Sequence, residues 1–139
     1  MAPSASKKSA IWKVSVAIYR PHSGNHMHWA PHLHGGDDHH IFEVVGEQPA
    51  FVRNDMEVDP KNTIRLEMDI ELTKISENNV EEFKRVVRKT KVDDDTVHWN
   101  CQDYVLEALE NLEMECIVDE DVDYQVAKTI LKGELGPMV

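Results

Sequence analysis

Between Ile64 and Leu72 apolar and polar residues alternate strictly. Ile64, Leu66, Met68, Ile70 and Leu72 occupy every second position, with Arg65, Glu67, Asp69 and Glu71 between them. A period of two belongs to a strand with one buried face, so the pattern predicts a strand over 63–75. A similar pattern, with Ile11, Val14, Val16 and Ile18 against Lys13 and Ser15, predicts a strand over 11–19. A turn at 21–25 should lead into a second strand over 26–34, which Pro31 would confine to a sheet edge. Gly35-Gly36-Asp37-Asp38 reads as a hairpin turn, followed by a third strand over 40–46 and a fourth over 50–54.

The period then lengthens. Val80, Phe83, Val86 and Val87 fall on one face of a helix over 79–89. Tyr104, Val105, Ala108, Leu109 and Leu112 make the apolar stripe of a helix from Cys101 to about Met114. A last helix should start at Asp119 or Asp121, either a good N-cap, and run to Lys132, stopped by Gly133 and Gly136-Pro137. Strands first and helices afterwards predict an α+β domain, an antiparallel sheet packed against helices. The 139 residues suit a flexible tail over 1–9 and a single domain over 10–139.

The formal charge of −11 argues against nucleic acid as a partner. No stretch approaches the ~20 apolar residues of a membrane span. The chain shows no apolar leader, and it has two cysteines, Cys101 and Cys116. Both features point to a reducing, cytoplasmic setting. A Cys101–Cys116 disulfide is the alternative.

Candidate chemistry centres on Cys101. It opens a helix, where the positive end of the helix dipole favours an anionic thiol. Histidines on earlier strands supply a base, and backbone N–H groups at the helix start supply oxyanion donors. Tyr19 is a further possible oxyanion donor. Trp29 and Trp99 could wall a cleft or simply pack in the core. Loops near 20–25, 35–38, 46–62 and 91–98 would shape the pocket. Asp103 in the first helical turn is expected to cap the helix and point away from the thiol. The bland reading of Cys101 is a small buried residue.

Two short segments, 26–46 and 99–106, resemble the lecithin:retinol acyltransferase-like family of circularly permuted papain-like thiol enzymes. His28-Trp29-Ala30 matches its His-Trp-Ala strand, His40 stands about where its second histidine belongs, and Asn100-Cys101 with Val105 matches its Asn-Cys helix start. Gln102, Asp103 and Tyr104 depart from the family pattern. The resemblance implies a permuted papain-like fold and a Cys-His-His triad. Cys101 would be the nucleophile, His28 the base and His40 the residue that orients His28. His39 competes for the third place, because a one-residue change of register exchanges the two. The implied activity is hydrolase or acyltransferase chemistry on an ester or amide carbonyl of a small molecule or peptide. It passes through an acyl-enzyme and uses no cofactor. The substrate, the acceptor and the oligomeric state stay open.

A rival reading comes from the histidines. Seven of the eight lie between His22 and His40, and His26/His28 and His32/His34 are His-x-His pairs. Such pairs project from one side of a strand and suit zinc, copper or nickel. The chain would then be a non-catalytic binding protein on the same fold.

Overall fold

The computed structural model describes residues 11–21 and 24–137. The expected tail over 1–9 lies outside them. Five strands, β1 (Ile11–Tyr19), β2 (His28–Gly35), β3 (Asp38–Val45), β4 (Val52–Met56) and β5 (Leu66–Ser76), form one sheet in the order β4-β3-β2-β1-β5. Every neighbouring pair is antiparallel. Helices α1 (Val80–Lys89), α2 (Cys101–Met114) and α3 (Val122–Lys132) follow. This is the α+β arrangement that the change of period anticipates.

The sheet has two unlike faces. Trp12, Val14, Val16 and Ile18 of β1 share a core with Trp29 and Leu33 of β2, Phe42 of β3, Phe83 of α1 and Leu109 of α2. Phe83 is fully buried there, so Phe83→Ala should cost about 3–5 kcal/mol. On the opposite face a smaller cluster of Ala17, Tyr19, Ala30 and Ile41 is packed by Met56 and Leu66, which flank the β4–β5 connection. Alternation puts His28, Ala30, His32 and His34 on this second face.

Two expectations need correction. Pro31 does not sit at an edge, because β2 is the central strand. Its missing N–H is tolerated because the β2–β3 register runs only from His32↔Ile41 to Gly35↔Asp38, ending just short of the proline. β5, the clearest strand by pattern, is an edge strand, and its buried face is incomplete. Leu72 and Ile75 are buried, but Met68 is exposed and Ile64 precedes the strand, 89% exposed. Register shifts at Val14/Ser15 and Ile18/Tyr19 interrupt its alternation against β1.

Candidate active site

The start of α2 is held firmly. Asn100 is its N-cap: the Asn100 side chain accepts from the Gln102 N–H at 2.9 Å, and Asp103 accepts from the Asn100 N–H at 2.9 Å. This capping box satisfies donors that a helix start leaves open, and it spends the Asp103 carboxylate on the backbone. The preceding loop is pinned by Gln48, whose Nε2 lies 2.9 Å from Asp93 O and 3.0 Å from Thr96 O. Cys101 is thereby brought against the start of β2. Its Sγ lies 3.5 Å from the Trp29 N–H and 3.9 Å from Met27 O.

His28 stands between Cys101 and an acid. Its Nε2 is 2.8 Å from Glu43 Oε1, and Cys101 is the other side chain that acts on the ring. Glu43 Oε2 accepts in turn from Asn54 Nδ2 on β4 at 2.6 Å. Burial alone would pull the imidazole pKa down. The hydrogen bonds and charges of Cys101 and Glu43 outweigh it and lift His28 from 6.5 to about 9. The ring of Tyr19, opposite His28 on β1, lies 5.6 Å away between centroids. Burial, with Glu43 and Asp69 nearby, pushes the Tyr19 hydroxyl pKa up, so it keeps its proton.

His40 is not part of this constellation. It faces the other side of the sheet, with its ring 6.0 Å from that of Trp12 and 6.4 Å from that of Phe42. Burial and Lys84 of α1 push its pKa below 6.5. His39 is on the same face as His28 but cannot reach it. It pairs with His34, six residues along β2, roughly 20 Å at ~3.3 Å per residue. The hairpin register explains both misplacements. The pair His34↔His39, carried along the strands, puts residue 43 opposite residue 30, one pleat from His28 on the same face. Glu43 is legible from the Gly36-Asp37 turn and strict alternation, but it is a carboxylate where the resemblance implies a histidine.

His32, His34 and His39 form a separate cluster on this face. His32, 3% exposed, has Nδ1 3.0 Å from Asp69 Oδ2 and Nε2 2.9 Å from His39 Nδ1. The His34 ring stacks on His39 at 3.9 Å, and His39 Nε2 lies 3.6 Å from Asp59 Oδ2. These nitrogens are turned to one another and to carboxylates. Among the described residues no group of three or more His, Cys, Asp or Glu side chains is disposed to hold a metal ion.

Cys101 and Cys116 are both free, and the alternative disulfide is not formed. They lie at opposite ends of α2, whose 14 residues span about 21 Å. Trp29 and Trp99 are buried in the core. Of the loops expected to shape a pocket, 35–38 lies at the far end of β2 from His28. No helix among the described residues is long and apolar enough to cross a membrane. Comparison with protein-family models, curated proteins and solved structures gives no match to this chain.

Proposed function

We propose that the protein is a thiol enzyme, a hydrolase or acyltransferase, acting on an ester or amide carbonyl through Cys101, His28 and Glu43. The observation that carries this reading is the His28 ring, set between a cysteine at a helix N-terminus and a partly buried carboxylate. The chain order, base on a strand before nucleophile on a helix, is that of the permuted papain-like enzymes the sequence resembles.

The chemistry follows from the placement. His28 Nδ1 takes the Cys101 proton and, with Glu43 at Nε2, holds it as imidazolium across neutral pH. The thiolate attacks the carbonyl carbon, and the carbonyl π pair moves onto oxygen. The backbone N–H of Cys101, in the first turn of α2 where no intrahelical acceptor exists, is a ready oxyanion donor. The tetrahedral intermediate collapses with loss of the leaving group, which receives the His28 proton, and a thioester remains. His28 then removes a proton from water or from another acceptor, which attacks the thioester and regenerates the thiol. Glu43 fixes the imidazole tautomer and stabilises its cation.

Alkylation by iodoacetamide tests the reading, because Cys116 is an internal control. Cys116 is exposed and Cys101 only partly so. Accessibility alone would make Cys116 react faster. The expected result is faster labelling of Cys101 at pH 6, abolished in Cys101→Ala and strongly slowed in His28→Ala. Labelling of Cys101 no faster than Cys116 would remove the enzyme reading.

A further inference from the structure

Gln102, next to the nucleophile, is 2% exposed. Its carboxamide is spent on backbone. Oε1 accepts from the Gly136 N–H at 2.9 Å, while Nε2 donates to Met27 O at 3.1 Å and lies 3.5 Å from Gly136 O. The side chain thus meets both the N–H and the C=O of one residue, as a neighbouring strand would. His26 and Pro137 add an antiparallel bridge alongside. Met27 O is also the carbonyl that the Cys101 sulfur approaches at 3.9 Å. Gly136 is therefore one side chain away from the reacting sulfur.

The surroundings of Gly136 are open. A Cβ built there would meet nothing within 4 Å, and only its φ of +93° demands glycine. Leu135 and Pro137 on either side are exposed. The segment is laid over the entrance to β2 and is not locked into the core.

We infer that Gln102 forms a peptide-binding subsite beside Cys101, and that residues 135–137 occupy it in place of substrate. This rests on the thiol-enzyme reading and narrows its substrate class to peptides or other secondary amides. The chemical reason is the acceptor Oε1. Whatever replaces Gly136 must offer an N–H, or a buried oxygen is left without a donor and affinity is lost. An amide offers that donor and an ester does not. Recognition through backbone atoms alone also leaves side-chain preference to other contacts.

The test uses the full chain and two kinds of Cys101 reagent. Gly136→Ala puts a side chain at positive φ without a steric clash and should release the segment. Iodoacetamide needs no subsite, and its rate at Cys101 should stay within about twofold of the parent protein. A tripeptide vinyl sulfone needs the vacated subsite, and its rate should rise about tenfold, the factor expected from a 1.4 kcal/mol bias against occupancy. Adding Gln102→Glu to Gly136→Ala, which removes the Nε2 donor but keeps an acceptor, should cancel that gain, read as the ratio of the vinyl sulfone rate to the iodoacetamide rate of the same variant. An ester-linked analogue of the same reagent, lacking the amide N–H, should gain nothing. The proposal is overturned if the vinyl sulfone shows no gain, if the gain survives Gln102→Glu, or if amide and ester reagents gain alike. Slow iodoacetamide labelling of Cys101 in the parent protein would instead sink the thiol-enzyme reading beneath it.

Discussion

Two histidine sites share one face of the sheet and have opposite electrostatics. At the end of β2 near α2, His28 lies between a thiol and Glu43, and its pKa rises to about 9. At the hairpin end, His39 lies among His32, His34, Asp59 and Asp69, and its pKa falls below 6.5. Both sites pair imidazole with carboxylate, and burial opposes the cation at both. At His28 two anion-forming partners meet the ring directly and overcome that cost. At His39 burial is joined by repulsion from two neighbouring imidazoles, and Asp59 at 3.6 Å does not compensate. A histidine-rich strand is therefore not one functional unit. What each ring meets on its two nitrogens decides whether it carries a proton at neutral pH.

The largest effects should come from the His28 site. Cys101→Ala or His28→Ala is expected to lower turnover by about 10³-fold or more, measured on a peptide amide substrate, with the fold intact by circular dichroism. Loss of less than tenfold in either variant would place the chemistry elsewhere. Glu43→Gln should follow, at about 10²-fold, because the amide holds the ring but supplies no negative charge. The same variant should move the His28 limb of the pH–rate profile downward from about 9.

Stability against pH separates the two sites by sign. The raised His28 pKa contributes stability that is full below about 6.5 and is lost as pH rises through 9. The lowered His39 pKa works the other way: stability is full above about 6.5 and is lost as pH falls through the folded-state value. Thermal melts of the parent, His28→Gln and His39→Gln proteins from pH 5 to 9.5 should therefore diverge in opposite directions. His28→Gln should lose most relative to the parent in acid and least above pH 9. His39→Gln should gain on the parent as the pH falls. Parallel curves would mean that the two sites are electrostatically alike.

The smallest effect on activity should be that of His40→Ala. His40 packs against Trp12 and Phe42 on the helix side of the sheet, so its removal should cost about 1 kcal/mol of stability and leave turnover within twofold. A hundredfold loss with normal stability would restore His40 to the site and displace Glu43.

The fold was largely legible. The limits of β1 and α2 follow directly from hydrophobic period, because local chemistry decides them. The environment of β5 was less so. Its alternation is strict, but a chain pattern does not reveal that the strand will lie at an edge with two register shifts. Pro31 misled in the opposite sense, since where a ladder stops depends on two strands. In the site, Cys101 and His28 are marked by helix start and strand context. Glu43 is marked only by pairing arithmetic across the hairpin, and Gln102 carries no signal at all, since its partners Met27 and Gly136 lie 75 and 34 residues away.

The central claim is that Cys101 and Glu43 together hold a proton on His28. Nitrogen-15 NMR of the labelled His28 ring, followed from pH 5 to 10.5, measures this directly. The account predicts an apparent pKa near 9 that falls in both Cys101→Ala and Glu43→Gln, with the Nε2 resonance most affected by the second. A His28 that titrates at or below 6.5, and does so unchanged in both variants, would contradict it.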